Sequence, residues 1–481
     1  MNRIPAGGIV LVSAVLSTAF TGVVGAQSAQ WRADPSTFQP RDVSRELENK
    51  MKGTFVITTV GDLLIQEPIG QTIDPKIQEL LRGADTTVGN METKIIDRRR
   101  YSGGFSGNWS PKETALDIRN LGFDILTGAN NHTFDMGEQG LQSTIDLLDA
   151  QGIPLAGVGP NLSIARLPVF HYTPKGRVAM IGAYAVATPS GQGGVPGVAT
   201  DREGAMGGRM GFNPLRLTTW NVVSEQQLAG LKAIQDTILS HRGDADVVRS
   251  ILVPKDPAGR VTLFDSGRYM SGAKPGSYHY EVNKADEDGN ILAIRNAKEY
   301  ADFAVFTMHA HQNRYAYQAY SNDNYPADYL QAFAHKLIDN GADIYLGHGN
   351  HTMQGIEIYR GRPIFYNLGN FAVHEILPLS DGDQPGKTAV ESDELSAEWL
   401  QQPENLRALV ATTKYQDGRL VEIRLQPVDL GSGKNRPWSQ MSIARVPSPA
   451  LAAEILAQVQ KFSEPFGTKI LIENGVGIIR P

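Results

Sequence analysis

Five apolar, strand-like segments of this chain each end at side chains of the types that bind metal ions. The clearest is Ile344–Leu346, which is followed by Gly347-His348-Gly349-Asn350-His351. The other four segments end at Asp62, at Asn90 and Glu92, at Asn131 and His132, and at His309 and His311. In an open sheet of parallel strands, ligands collect outside the carboxyl ends of the strands. The pattern therefore predicts a metal-centred site on an α/β scaffold.

Strands and helices alternate along much of the chain. Thr54–Val60 is β-branched and apolar, which predicts a buried strand, and Pro75–Arg82 predicts a helix with proline near its start. Gly83, Gly122 and Gly341 each follow a helical pattern and precede an apolar run, as expected where a helix turns into a strand. Alternating β and α units favour a largely parallel sheet.

The amino terminus has the pattern of a secretory signal peptide. Arg3 supplies a positive start, Ile9–Val24 is mostly apolar with small residues, and Val24-Gly25-Ala26 is typical of a cleavage site. We expect residues 1–26 to be removed and the protein to be exported, either to the periplasm or out of the cell. The alternative is an uncleaved helix that anchors the protein in the membrane.

The rest of the chain divides into four predicted parts. Residues 27–52 are polar and predict a tether, and residues 53–380 predict the main domain, with a loop-rich insertion at about 186–290. Residues 381–403 predict a surface loop, because they are acidic and contain proline and glycine. Residues 404–481 contain two hairpin patterns and a helix pattern, which we expect to complete the main fold.

The amino-acid composition excludes several kinds of site and partner. The chain has no cysteine, which excludes disulfides, a thiol nucleophile and thiolate-bound metal. Its net charge of −6 provides no basic field, so we expect no nucleic-acid partner. A metal held by His, Asp, Glu and Asn would be Zn, Mn, Fe or Mg, and the number of candidate ligands suits one or two divalent ions.

Three of the strand ends offer oxygen ligands and one histidine. Asp62 could bind a cation directly, although Asp after Gly is also a common helix cap. Glu92 could bridge two ions or act as a general base, with Asn90 as a further oxygen ligand; the alternative is a turn built by Gly89 and Asn90. Asn131 and His132 would supply one oxygen and one nitrogen.

The remaining candidates are mostly histidines. Asp135 follows His132 closely enough to orient its imidazole. His309 and His311 point the same way if the segment is extended, and His309 is the stronger candidate. His348 and His351 could fold around one ion, because Gly347 and Gly349 allow a tight turn. Asn370 ends a later strand and could contact a ligand or brace the loop.

Other hydrolytic and nucleotide-binding motifs are absent from the sequence. It contains no Gly-x-Ser-x-Gly elbow, no P-loop and no dinucleotide fingerprint between a strand and a helix. A metal-activated water is the best physical account of so many converging ligands, because a bound ion lowers the pKa of water and polarises the scissile group.

These segments together resemble the CapA family of poly-γ-glutamate capsule biosynthesis proteins, whose fold is similar to that of calcineurin-like metallophosphatases. The resemblance runs from about Thr54 to Phe371. Its motifs are Val60-Gly61-Asp62, Asn90-Met91-Glu92, Ala129-Asn130-Asn131-His132 with Asp135 and Gly137, Ala342-Asp343-Ile344, Gly347-His348 through His351, Gln354-Gly355-Ile356-Glu357 and Leu368-Gly369-Asn370-Phe371. The resemblance implies an α/β (α+β) fold, a four-layer αββα sandwich with a metal site at the strand ends.

The chain departs from the family pattern at two places. Where the family commonly has His-Trp-Gly, this chain has His309-Ala310-His311, which could add a ligand. Where the family commonly has Gly-His-His-Pro-His, this chain has Gly347-His348-Gly349-Asn350-His351, so the middle imidazole is missing. Both differences fall within the predicted metal site.

The resemblance and the ligands lead to a hypothesis with two alternatives. We expect an exported metallohydrolase that acts in poly-γ-glutamate biosynthesis or processing, on the anionic polymer or a small envelope-derived substrate. The predicted metal ligands are Asp62, Glu92, Asn131, His132, His309, His348 and His351, with Asn90, His311 and Asn370 as additional candidates, and the predicted catalytic groups are His132, Asp135 and Glu92. The alternatives are a metal-dependent phosphoesterase and a non-catalytic assembly or anchoring factor that works with membrane-associated capsule machinery.

Overall fold

The computed structural model describes residues 46–104, 108–188, 197–202, 207–241, 259–263, 267–313, 324–373, 402–431 and 443–481. The predicted signal peptide, most of the predicted tether and nearly all of the predicted loop at 381–403 lie outside these residues. In the part of the chain that is described, no helix is both long and apolar enough to span a bilayer.

The secondary structure follows the predicted alternation over most of the chain. The strands are β1 (Thr54–Leu64), β2 (Thr86–Met91), β3 (Lys94–Ile96), β4 (Trp109–Pro111), β5 (Ile125–Thr127), β6 (Leu155–Ala156), β7 (Val158–Gly159), β8 (Val169–Thr173), β9 (Gly176–Thr188), β10 (Gly211–Phe212), β11 (Pro214–Val223), β12 (Val261–Leu263), β13 (Gly267–Ser271), β14 (Tyr278–Val282), β15 (Phe303–His309), β16 (Ile344–His348), β17 (Ile356–Tyr359), β18 (Arg362–Phe365), β19 (Asn370–Val373), β20 (Arg407–Gln416), β21 (Arg419–Asp429), β22 (Leu471–Glu473) and β23 (Val476–Ile479). The helices are α1 (Pro75–Arg82), α2 (Glu113–Leu121), α3 (Gly137–Asp149), α4 (Leu162–Ala165), α5 (Glu225–Ser240), α6 (Lys284–Tyr300), α7 (Asp328–Asp339) and α8 (Pro449–Ser463), with 3₁₀ turns at Pro403–Leu406 and Glu464–Phe466.

Two large sheets organise these elements. The first has the strand order β22-β23-β21-β20-β1-β2-β5-β6, with β19 also paired to β1. The second has the order β12-β13-β11-β9-β15-β16-β18-β17, with β14 paired to β11 and β8 paired to β9. Within the first sheet β1, β2 and β5 are parallel, and within the second β9, β15 and β16 are parallel. The sequence placed its candidate ligands at or just after the carboxyl ends of five of these strands, β1, β2, β5, β15 and β16, and none at the end of β9.

Apolar side chains hold four layers together. Between the sheets lies a core that includes Phe55 from β1 and Val305 from β15. Helices α1, α2 and α3 pack Ile77, Ile118 and Leu141 into a second core with the first sheet. Helices α6 and α7 contribute to a third core with residues of the second sheet. This αββα arrangement confirms the predicted fold class.

Part of the region predicted to be loop-rich belongs to the second sheet. Strand β11 pairs with β9, and β14 pairs with β11. Helix α6 then begins at Lys284, capped by Asn283, whose Oδ1 accepts from the backbone N–H of Asp286. The many glycines and prolines around these elements hid the strand and helix patterns, so the prediction of a loop-rich segment was too broad.

The short segment before β1 is bound to the amino ends of the parallel strands. The backbone N–H of Lys50 donates to the carbonyl of Asp302 at 2.9 Å. The guanidinium of Arg362 donates to the carbonyl of Leu47 at 2.7 Å, and Met51 is fully buried. The chain therefore enters the domain at the end of the sheets opposite to the predicted site.

Candidate metal centre

Strand register brings the predicted ligands together. Asp62 pairs with Asn90 of β2 on one side and with Asn370 of β19 on the other. In the second sheet His309 and His348 are partners across β15 and β16. Because β1, β2, β15 and β16 are parallel, their carboxyl ends meet at one edge. Asn370 was predicted to end a strand but begins β19, and its pairing with Asp62 brings it to the same edge. All five side chains are buried there.

Three of the ligands form what we call the first ion group: Asp62, His309 and His348. One donor atom from each lies within 4.8 Å of the other two. The Nδ1 atoms of His309 and His348 are 2.9 Å apart, and His348 Nδ1 is 3.6 Å from Asp62 Oδ1. The group thus offers two nitrogens and one carboxylate oxygen from three different strands.

A second ion group, Glu92, His311 and His351, adjoins the first. Its donor atoms also lie within 4.8 Å of one another. His309 stands between the two groups, because its Nε2 atom is 3.0 Å from His311 Nε2 and 3.6 Å from Glu92 Oε1. His311, which the sequence offered only as an additional candidate, is therefore a full member of a ligand group.

Asparagines and a backbone amide orient these ligands. Asn90 Nδ2 donates to Asp62 Oδ1 at 2.8 Å, and the backbone N–H of Gly349 donates to Asp62 Oδ2 at 3.0 Å. Asn370 Oδ1 accepts from His351 Nδ1 at 2.8 Å, which leaves Nε2 as the lone-pair nitrogen of that ring. Asn90 and Asn370 thus brace the ligands in the way that partners of metal ligands commonly do.

Burial favours the neutral form, which metal binding requires, for three of the imidazoles, those of His309, His311 and His348. Burial, followed by the neighbouring histidines, lowers the pKa of His309 well below its ordinary value. Burial also lowers the pKa of His311 to about 3, and it lowers that of His348 to about 4 despite the opposing effect of Asp62. Neutral imidazoles bind metal, whereas protonated ones do not.

Contacts of the ring nitrogens also fit an ion. His309 faces another imidazole nitrogen at each of its own two nitrogens, although a neutral ring has only one N–H to donate. The buried Nε2 atom of His348 has no hydrogen-bond partner in the described part of the chain. Zinc–nitrogen bonds of about 2.0–2.1 Å bring two ligand nitrogens to roughly 3.3 Å, close to the separations seen here. The residues present therefore fit divalent ions.

His132 lies beside the two groups and not within either of them. Its Nδ1 atom is 2.7 Å from Asp135 Oδ2, and its Nε2 atom is 3.8 Å from Glu92 Oε1. The backbone N–H of Asn108 donates to the same oxygen of Asp135 at 3.0 Å. Asp135 therefore orients the ring as predicted from the spacing, and Nε2 is directed to the Glu92 side. This geometry suits proton transfer better than the predicted role as a metal ligand.

One predicted ligand is replaced by its neighbour. Asn131 is exposed, whereas Asn130 is fully buried and donates from Nδ2 to Asn90 Oδ1 and to the carbonyl of Met91, both at 3.0 Å. The hydroxyl of Thr133 causes the difference, because it accepts from the backbone N–H of Asn130 and holds that residue inward. The asparagine that contacts the centre is thus Asn130.

Sequence reasoning missed three further residues near the centre. Asn108 is buried, with its side-chain nitrogen 3.4 Å from His132 Nδ1. The ring centroid of Tyr184 is 5.4 Å from that of His309 and 6.1 Å from that of His311. Lys94 is fully buried, and Asp135 and Glu92 both act on its charge. Only Lys94 had a signal in the sequence, its position two residues after Glu92.

The missing imidazole at position 349 has a steric explanation. Gly349 has a φ of +100°, and a Cβ atom there would lie 2.8 Å from His309 Nε2. No side chain fits in that space while His309 holds its present position. His351 has a left-handed φ of 56°, which is uncommon for a residue other than glycine and is typical of strained functional sites.

Comparison with known sequences gives the family of this chain. The family model described as "Bacterial capsule synthesis protein PGA_cap" matches residues 56–375. The chain belongs to the PGA_cap family. This match covers every residue of the two ion groups, and it confirms the resemblance to CapA.

Individual proteins similar to this chain match it over different shares of its length. An uncharacterized protein of Sinorhizobium fredii, y4sH, is 34% identical over 91% of this chain and 96% of its own length. The PGA biosynthesis protein CapA of Bacillus subtilis is 24% identical over 65% of this chain and 61% of its own. Among solved structures, a putative 5'-nucleotidase from Staphylococcus aureus has a TM-score of 0.31 and 10% identity, over 78% of this chain and 53% of that one.

Proposed function

We propose that this CapA-like protein is a metal-dependent hydrolase that acts in the biosynthesis or processing of poly-γ-glutamate. The observation that carries the proposal is the pair of adjoining ion groups, in which buried neutral imidazoles and carboxylates from both sheets converge. Packing alone does not require two such groups at one strand edge. The substrate class is taken from the CapA proteins of capsule biosynthesis to which the chain is similar.

The residues divide into those that would hold ions and those that would handle protons. Asp62, His309 and His348 would hold one divalent ion, and Glu92, His311 and His351 would hold a second. Ions bound there would supply Lewis acidity and an activated water. Asn90 and Asn370 keep Asp62 and His351 in place by the hydrogen bonds described above, and Asn130 in turn holds Asn90.

His132 is the group best placed to move a proton. Its side chain retains 18% exposure, so a substrate can reach it, while the six ion ligands lie deeper or face one another. With Nδ1–H donated to Asp135, the Nε2 atom carries the lone pair that would accept a proton from water and later give it to the leaving group. Asp135 stabilises the charged ring that forms, and Glu92 lies 3.8 Å from the reacting nitrogen.

We also propose a cellular setting for this reaction. The signal-peptide pattern at residues 1–26 supports export to the periplasm or beyond, where a capsule polymer is handled. The net charge of −6 means that an anionic polymer would be drawn by the metal centre and not by the surface as a whole. Contacts with membrane-associated capsule machinery belong to the same proposal, and cell fractionation tests the location.

The experiment that tests the function joins ion content to activity. The purified protein would be treated with a chelator, reloaded with Zn²⁺ or Mn²⁺, and given poly-γ-glutamate and a chromogenic phosphoester. We expect amide cleavage only in the loaded protein. Asp62→Ala should lose both the ion and turnover, whereas His132→Ala should keep the ion and lose turnover by roughly 10²–10⁴-fold.

The outcomes distinguish the three hypotheses for this protein: a hydrolase that cleaves the polymer, a phosphoesterase and a non-catalytic assembly factor. Cleavage of the phosphoester but not of the polymer would favour a phosphoesterase. Retained function in cells of both Asp62→Ala and His132→Ala, with the fold intact by circular dichroism, would leave only a non-catalytic assembly role. Asn131→Ala serves as the matched control, because that exposed asparagine should change neither ion content nor rate.

A further inference from the structure

Lys94 is a buried cation that the proposed reaction does not use. It begins β3, two residues after Glu92, and its side chain is fully buried. Its Nζ atom has no hydrogen-bond partner among the residues that the structure describes. A buried ammonium without a direct partner is costly in a folded protein, so its retention calls for a specific electrostatic reason.

The charges around Lys94 belong to one side of the metal centre. Asp135 and, more weakly, Glu92 are the two carboxylates that oppose the lowering of its pKa by burial. The backbone also ties these residues together, because the N–H of Lys94 donates to the carbonyl of Asn108 at 3.0 Å, and the N–H of Asn108 donates to Asp135. These bonds hold the main chain of Lys94 beside Asn108 and Asp135, and Lys94 is two residues from Glu92 of the second ion group.

The first ion group is held differently. The two carboxylate oxygens of Asp62 accept from the side-chain amide of Asn90 and the backbone N–H of Gly349, which are neutral donors. The second ion group thus has the positive charge of Lys94 near it, whereas the first has only the neutral donors of Asn90 and Gly349. Because like charges repel strongly in a buried site, the two groups should not bind cations equally.

We propose that Lys94 is a built-in counter-cation for Glu92 and Asp135, which makes the second ion group bind divalent ions more weakly than the first. The inference rests on the proposed function, since it assumes that ions bind at both groups. Its consequence is an order of filling: the first group fills at low ion concentration and the second only at higher concentration. The number of bound ions would then depend on the supply of metal.

Calorimetry with Zn²⁺ alone tests the inference on the full chain after chelator treatment, at pH 7. The unaltered protein should show two binding events of unequal affinity. Lys94→Met removes the charge while keeping a chain of similar length, and it should raise the weaker affinity by about tenfold or more, because one nearby unit charge typically shifts an equilibrium by that factor. The tighter affinity should change by less than about twofold, and Lys94→Arg should keep the gap.

Lys298 supplies the matched control. It is also buried, but its Nζ atom donates to Asp343 Oδ2 at 2.9 Å, far from the ion groups and at the amino ends of the strands. Lys298→Met should lower thermal stability and leave both Zn²⁺ affinities unchanged. If Lys94→Met does not fold, Lys94→Gln gives a polar neutral replacement, with the fold checked by circular dichroism.

Different failures point to different errors. If the unaltered protein binds no Zn²⁺ or Mn²⁺, the proposed function is wrong and this inference falls with it. If it binds two ions with equal affinity, or if a folded neutral variant at position 94 leaves the weaker affinity within about twofold or reduces it, only the role of Lys94 is overturned.

Discussion

The two ends of the parallel strands carry similar buried charges that are satisfied in opposite ways. At the amino ends, Asp343 Oδ2 accepts from Lys298 Nζ and from the backbone N–H of Ala304, each at 2.9 Å, and Arg362 Nε lies 3.6 Å from Oδ1. At the carboxyl ends, Asp62 is fully buried too, but its ionisable neighbours are histidines such as His348, whose pKa burial lowers to about 4.

The comparison shows that burial of a carboxylate does not by itself mark a functional site. The charge of Asp343 is compensated within the protein, by Lys298 and Arg362. Asp62 accepts hydrogen bonds from the neutral side chain of Asn90 and the backbone of Gly349, which orient it without compensating its charge. At the amino ends the carboxylate charge is compensated by cations of the protein itself, whereas at the carboxyl ends a bound cation would have to compensate it. If the comparison is right, substitutions at the amino ends should change mainly stability, and substitutions at the carboxyl ends should change mainly ion binding.

The largest effect should come from Asp343→Ala. Removing this carboxylate leaves the Lys298 ammonium buried and uncompensated, which should reduce the free energy of unfolding by about 3–5 kcal/mol. Urea denaturation of the ion-free protein measures this loss, and Zn²⁺ affinity should be unchanged. Asp62→Ala is the counterpart at the other end: it should cost less stability and abolish ion binding at the first ion group. A larger loss of stability for Asp62→Ala than for Asp343→Ala would contradict the comparison.

A smaller effect is expected from Gly349→Ala. The new Cβ atom would lie 2.8 Å from His309 Nε2 on a backbone with φ of +100°, so His309 must move out of the first ion group. We expect Zn²⁺ affinity to fall roughly 10- to 100-fold, the range found when ligand-orienting contacts are lost.

Gly361→Ala separates the contact from the backbone strain. Gly361 also has a positive φ, of 73°, but a Cβ atom there meets nothing within 4 Å. The two variants should lose similar stability from strain, and only Gly349→Ala should lose Zn²⁺ affinity. An equal loss of affinity in both would show that the contact with His309 is irrelevant.

The smallest effect is a pH dependence of stability that arises at the carboxyl ends. Burial lowers the pKa of His348 to about 4 and lowers that of His309 well below its ordinary value, whereas unfolded histidines titrate at about 6.5. Below pH 6.5 the unfolded chain therefore binds more protons, and the free energy of unfolding should fall by about 1.4 kcal/mol per pH unit for each such histidine down to about pH 4. Urea denaturation of the chelator-treated protein at pH 7, 6 and 5 measures the slope. His348→Gln should make it shallower, and an unchanged slope would refute the assignment.

Local signals in the sequence were sufficient for much of the fold. Asp417-Gly418 and Asn474-Gly475 adopt left-handed backbone angles between paired strands, as hairpins with these dipeptides require. Helix α1 has the predicted bounds, because Asp74 caps it and Pro75 starts it. Such features depend on neighbours in the chain and are readable without tertiary structure.

Features that depend on tertiary contacts could not be predicted from the sequence. The choice between Asn130 and Asn131 depends on the hydroxyl of Thr133, which a doublet of identical residues does not reveal. β1 continues past the predicted end at Val60 to Leu64, because a register shift at Asp62 lets it pair with β19. The candidate ligands could be predicted from their positions at strand ends, but their division into two groups required the register between strands.

Residues 46–53 are attached at the amino ends of the strands, and the metal centre lies at the carboxyl ends. Strand β1 alone carries the chain roughly 30 Å from Thr54 towards the histidines. A carrier fused directly before Leu47 would therefore be attached at the end of the strands remote from the metal centre, and it would leave the approach to the histidines uncovered.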